Sequence, residues 1–299
     1  MSKKGGFQPK SNFGQGAVLL FRRYYDHDVG RDSAALSYYL LFAIFPLLIF
    51  ISALIGALHL DVDSATRLLS QFVPGDIVDL AQAYLNYVSE NTSQQLLWFS
   101  LVFSVWFPMR ATSALMHSVR KAYGLGRPHS MVFNQLRILL FTVWMIVTIA
   151  LTLLLVTVGR RVLSFVSGLI YVSDEFINVW NYIRFVIMAV YMFASVALLY
   201  LLAQGRKRPL RDVMPGAALT LVAWMALSLG FSFYVEHMAH YAELYGSIAT
   251  IVVMLIWLYM SGTVMIMGAE FNGVVLEMKD RRLKAQLAAK IQEEEKDFK

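Results

Sequence analysis

The chain has 299 residues, 58% of them hydrophobic and only 15% charged, with a mean hydropathy of +0.57. Soluble domains run at about 25% charged, so a water-soluble class is excluded. The net charge of +6 and pI near 9.4 would suit phosphate binding, but Lys and Arg cluster beside apolar stretches, so membrane placement accounts for them and nucleic acid is not an expected partner.

Residues 11–32 read as a cytoplasmic helix lying on the membrane. Phe13, Ala17, Leu20, Phe21 and Tyr24 recur at helical spacing, with Arg22 and Arg23 as anchors. Charges at Arg22, Arg23, Asp26, Asp28, Arg31 and Asp32 leave no room for a cleavable signal, so the first span is expected to direct insertion.

Six stretches free of Asp, Glu, Lys and Arg follow, at 33–60, 91–109, 138–159, 185–205, 213–235 and 244–269, each 19 to 28 residues long. About 20 residues suffice to cross roughly 30 Å of hydrocarbon as a helix, so spans are expected at about 34–60, 94–115, 138–159, 183–204, 213–235 and 246–270. Asp32 and Ser33 are cap candidates for the first, and Pro46 and Pro108 should each remove a backbone hydrogen bond and bend their helices.

Between spans one and two, Pro74, Gly75 and Asp76 mark a turn before an external amphipathic helix over about 76–90, carried by Ile77, Leu80, Ala81, Tyr84 and Val88. Residues 162–173 are uncharged but too short to cross, and suit an interfacial or re-entrant piece. The segment 273–299 is rich in Ala, Lys, Glu and Gln and reads as a charged, helical cytoplasmic tail.

The basic residues set the orientation. With both termini cytoplasmic, only Arg67, Arg160, Arg161 and Arg184 lie outside; the rest flank the cytoplasmic span ends, as the positive-inside rule demands. The expected fold is therefore an all-α integral membrane protein with six transmembrane helices, both termini inside, and amphipathic interfacial helices.

Chemistry-bearing residues are few. Arg110 follows Pro108 in the inner third of the second span, and Glu270 ends the sixth on the same side. A charge at membrane depth costs roughly 2.5–3.5 kcal/mol on insertion scales and normally faces a partner or water, so Arg110 is expected to pair with Glu270 or with Asp32, or else to snorkel to the headgroups. An inward Arg at that depth suits the phosphate or carboxylate of an amphiphile. Glu236, His240 and Glu243 would share one face at i, i+4 and i+7 and could hold a divalent metal, though a polar span end looks the same. Cysteine is absent, removing disulfides and thiolate chemistry, and no cofactor is implied. Asn91-Thr92-Ser93 fits a glycosylation sequon, and Gly14-Gln15-Gly16 lacks the third glycine and preceding strand of a dinucleotide site. Ser52–Gly56 and Ala269–Gly273 are small-residue pairs suited to close helix packing within the chain.

Three segments carry a family resemblance: the run from Asp32 to Leu48 containing Pro46; Pro209-Leu210 with Pro215-Gly216-Ala217; and Tyr245-Gly246-Ser247-Ile248-Ala249, Trp257-Leu258-Tyr259-Met260-Ser261-Gly262 and Gly268-Ala269-Glu270-Phe271-Asn272. Together they resemble the YihY/BrkB family of bacterial inner-membrane proteins, once labelled ribonuclease BN. The resemblance implies a six-helix inner-membrane bundle, and links to serum resistance and to envelope lipid or lipopolysaccharide export.

The expected function is a transporter or flippase-like exporter of an amphiphilic or anionic envelope molecule, with membrane lipids as partners. Arg110 would engage the charged group, Glu270, Asn272 and Asp32 would lie nearby, and Pro46 and Pro108 would permit rearrangement. A non-catalytic envelope assembly protein is the alternative. A metal-dependent hydrolase would require Glu236, His240 and Glu243 to converge.

Overall fold

In lipid each backbone N–H and C=O must be satisfied within its own segment, so long apolar runs become helices. The computed structural model describes residues 12–57, 94–126, 128, 130–148, 174–205, 209–237 and 247–297, and among these there is no strand. The helices are α1 (Asn12–Asp26), α2 (Val29–Ala57), α3 (Gln94–Ala122), α4 (described over Met131–Thr148), α5 (Asp174–Gln204), α6 (Met214–His237) and α7 (Ser247–Asp297), with a 3-10 turn at Leu210–Asp212 before α6. Five segments, on α3 to α7, are long and apolar enough to cross a membrane. The first expected span lies on α2 as far as Ala57.

Local chemistry sets the breaks. The helix expected over 11–32 is two helices, because Asp28 adopts φ 54° and redirects the chain; its N–H bonds to Tyr25 O at 3.1 Å, and its carbonyl accepts Asp32 N–H to start α2. Asp is among the few non-glycine residues that tolerate this left-handed region. Asp32 thus sits in the first turn of α2 and Ser33 just past it, with Ser33 Oγ donating to Val29 O at 2.8 Å, and neither precedes the helix as a cap. Gly124 at φ 64° ends α3: its N–H reaches Lys121 O and that of Leu125 reaches Arg120 O, both at 2.9 Å, satisfying carbonyls the helix leaves open. The expected sixth span, from Ser247, and the charged tail, as far as Asp297, form a single unbroken helix of 51 residues.

α7 is the hub, packing on α1, α2, α3 and α6; α2 lies along α3, and α5 touches α3 and α6. α4 joins through hydroxyl and indole bonds, Thr142 to Thr112 of α3 and Trp144 to Ser195 of α5, each 3.0 Å. Where α6 crosses α7 the backbones nearly touch: a Cβ at Gly268 would collide with Thr220 Oγ1 and Tyr200 Oη, and one at Gly216 with the Gly268 carbonyl and the Asn272 amide. Gly273 is equally confined, by the Ala122 carbonyl and the Arg23 guanidinium, so Ala269–Gly273 serves packing inside the chain. Large apolar side chains cover the outer faces, among them Trp98, Val102, Val132, Val190, Val222 and Leu229, all more than half exposed, an arrangement that suits hydrocarbon.

The external helix expected at 76–90, the segment 162–173, the sequon and the ends of several expected spans lie outside the described residues, as do His240 and Glu243.

Candidate functional site

Two polar assemblies occupy the end of the bundle where α1, the start of α2, the end of α3 and the middle of α7 meet. The first is an ionic clasp. Arg23 of α1 sends Nη1 to Glu270 Oε2 at 3.1 Å and to Ala122 O at 2.9 Å, and Nη2 to Glu277 Oε2 at 2.7 Å. His27 Nδ1 lies 2.5 Å from the other Glu270 oxygen. Glu270 is fully buried and Arg23 only 17% exposed, so the carboxyl group is held by two partners, Arg23 on α1 and His27 in the turn that follows it. Lys121 of α3 closes the edge through the His27 carbonyl and Asp28. Burial pushes the Glu277 carboxyl up, but hydrogen bonds from Arg23 and Arg281 outweigh it and hold it below the usual carboxylate range.

The expected pairing of Arg110 with Glu270 is therefore replaced. Glu270 belongs to Arg23 and His27, because α1 packs against α7 and brings Arg23 and the His27 of the following turn onto it. Arg23, expected with Arg22 to anchor α1 on lipid, instead turns inward, whereas Arg22 is exposed and pairs with Asp26 at 3.0 Å. Asn272, next on α7, is committed to structure. Its Nδ2 donates to Tyr123 Oη and Val213 O, both at 2.9 Å, and its Oδ1 accepts Gly216 N–H at 2.7 Å, capping α6 from another helix.

The second assembly is a cleft of about 270 Å³ between α2 and α3, lined by Asp32, Ala35, Tyr39, Arg110, Ser113, Ala114 and His117. Its walls are helical faces: 32, 35 and 39 stand at i, i+3 and i+7 on α2, and 110, 113, 114 and 117 at i, i+3, i+4 and i+7 on α3. The Arg110 guanidinium lies 5.7 Å from the Tyr39 ring centre and 5.8 Å from that of Trp106, so an exposed cation is backed by two aromatic rings. Among the described residues it has no carboxylate partner. Asp32 Oδ2 accepts Ser118 Oγ at 2.8 Å, and Oδ1 is 3.6 Å from the exposed Arg31. Eight residues of α3 separate Ser118 from Arg110, which puts Arg110 about 12 Å along the helix from Asp32's level.

The structure thus brings Arg110 and Asp32 to one cleft and leaves Glu270 and Asn272 out of it. Pro46 and Pro108 both lie inside continuous helices, α2 and α3, that flank the cleft. Tyr39, Ser113 and His117 were not singled out from sequence, although their spacing from Asp32 and Arg110 on each helix was a signal available there.

The chain matches the family described as Virulence factor BrkB over residues 20–292. It belongs to the BrkB family. The matched range includes all of the cleft and the clasp. Among relatives of this BrkB-family chain is the ribonuclease-like protein YfkH of Bacillus subtilis, 33% identical over 260 residues, covering 87% of this chain and 94% of that one. A UPF0761 membrane protein of Xanthomonas campestris pv. campestris is 25% identical over 273 residues, covering 84% of this chain and 58% of its own length. Another UPF0761 membrane protein, of Tolumonas auensis, is 39% identical over 62 residues, 21% of this chain and 20% of that one. No solved structure matches.

Proposed function

We propose that this chain is a six-span protein of the bacterial inner membrane, with both termini cytoplasmic, that transports or flips an amphiphile with an anionic headgroup. The observation that carries the reading is the cleft: an exposed guanidinium backed by two aromatic rings and reached between two helices. Such a fork matches phosphate or carboxylate geometry. The orientation is supported by the gathering of Arg23, Arg31, Arg120, Lys121 and Arg281 at one end of the bundle. Pro46 and Pro108, each lacking one ladder bond in a cleft-lining helix, supply the places where α2 and α3 can flex.

The test is purification in lipid, with co-purifying molecules identified by mass spectrometry for the wild type and for Arg110→Ala. Loss of a specific phosphate- or carboxylate-bearing amphiphile in the variant supports the reading; an identical lipid profile in both contradicts it.

One observation favours a recruitment role instead. Beyond the clasp α7 continues to Asp297 with Leu283, Leu287 and Ile291 exposed at i, i+4 and i+8. A recruiter would lose function on truncation of 278–299 and keep it in Arg110→Ala.

A further inference from the structure

The cleft carries two opposite charges at different depths, and that order has chemical content. Arg110 lies further along α3 from its cytoplasmic end, while Asp32 lies near the start of α2, beside Ser118. A phospholipid of the inner leaflet presents its phosphate nearer the hydrocarbon and anything esterified to that phosphate nearer the cytoplasm. We infer that the cleft binds a zwitterionic aminophosphate headgroup, phosphate on Arg110 and ammonium on Asp32; this rests on the proposed reading of the cleft as a headgroup site.

Charge balance favours the zwitterion over a purely anionic lipid. The lining contributes one guanidinium and one carboxylate, so an anionic headgroup would satisfy Arg110 and leave Asp32 facing negative charge. A carboxylate offers about four acceptor sites, of which Ser118 fills one. Arg31 approaches from the solvent side and is 71% exposed, so water screens it and leaves Asp32 free to accept an ammonium. Ser113 and His117 stand on α3 between the two charges and can donate to the ester oxygens of the phosphate. The volume fits the same class: about 270 Å³ is below the roughly 300–1,000 Å³ of drug-sized sites and ample for a single polar headgroup whose acyl chains stay in the bilayer.

Native mass spectrometry of the full chain in detergent, titrated with short-chain phosphatidylethanolamine and phosphatidylglycerol, tests this. The wild type should prefer phosphatidylethanolamine by about fivefold, the ratio one partly exposed charge pair supplies. Asp32→Asn, which keeps an oxygen for Ser118, should bring the ratio to about one by weakening phosphatidylethanolamine alone. Arg110→Gln should weaken both lipids. A wild type without preference, or one favouring phosphatidylglycerol, overturns the zwitterion while leaving the phosphate site standing if Arg110→Gln still weakens both. Binding of both lipids unchanged in Arg110→Gln removes the headgroup site itself and the inference with it. Because the preference is read first on the wild type, a variant that fails to fold does not rescue either claim.

Discussion

Arg23 and Glu270, 247 residues apart, meet at 3.1 Å beneath the bundle and tie the short helix α1 to the hub helix α7. Glu270 has no exposure, so only the partners packed on it compensate its carboxyl group. Arg23→Ala should therefore destabilise the protein by about 3 kcal/mol, since it strands a buried carboxylate. Glu270→Gln should cost less, because Arg23 keeps Glu277 and the Ala122 carbonyl. Thermal unfolding in detergent reads the order; equal losses, or a larger one for Glu270→Gln, would contradict it.

The clasp is also acid-sensitive through Glu277. Its folded-state carboxyl lies below the usual range, so the stabilisation it brings is complete above that range and drains away as pH falls through the lowered value. The effect is under about 1 kcal/mol for so accessible a pair. A spin label attached beforehand to a cysteine at Gly16, which faces Met278 of α7, should gain mobility as pH falls toward 4 when α1 undocks, and Glu277→Gln should flatten that acid limb. A pH-independent label mobility in the parent would refute the assignment.

Asn272 uses three hydrogen-bonding groups to hold Gly216, Val213 and Tyr123 together. Asn272→Ala takes the acceptor from the buried Gly216 N–H and one donor each from Tyr123 and from Val213, whose carbonyl keeps Ala217 N–H, and should cost about 2 kcal/mol. Asn272→Asp should be no better, since it turns an acceptor toward the Val213 carbonyl. Retention of wild-type thermal stability by either variant would show that the cap is dispensable.

Two glycines give opposite expectations from the same substitution. Gly268→Ala forces a Cβ into Thr220 and Tyr200 and should lower stability by about 2 kcal/mol, with Thr220→Ala recovering part of it. Gly230 lies in α6 with open space around it, so Gly230→Ala should be neutral or stabilise by up to about 1 kcal/mol. Similar melting shifts for the two would mean that α6 and α7 do not approach as closely as described.

The broad architecture was legible because hydrocarbon imposes a long-range rule that survives without tertiary detail: apolar runs such as 213–235 and 244–269 have to be helices, and α6 and α7 hold 214–235 and 247–269 of them. The α1–α2 break was not legible. It depends on one left-handed residue, Asp28, inside an otherwise helical pattern, and Asp there reads equally well as a surface helix residue. The clasp was hidden for a related reason. Arg22 and Arg23 are adjacent in sequence, and only the docking of α1 decides that one pairs locally with Asp26 while the other turns inward to Glu270. Of the candidate site, Arg110 and Asp32 came from charge at membrane depth, whereas Tyr39, Ser113 and His117 required knowing that α2 and α3 face each other.

The cleft's occupation by headgroup at Arg110 is tested most directly by photo-crosslinking in native membranes, with a photoreactive amino acid in place of Ala114 on the cleft wall. The account predicts a phospholipid adduct, identified by mass spectrometry, that disappears when Arg110→Ala is added. An adduct yield unaffected by Arg110→Ala, or crosslinks to protein alone, would contradict it.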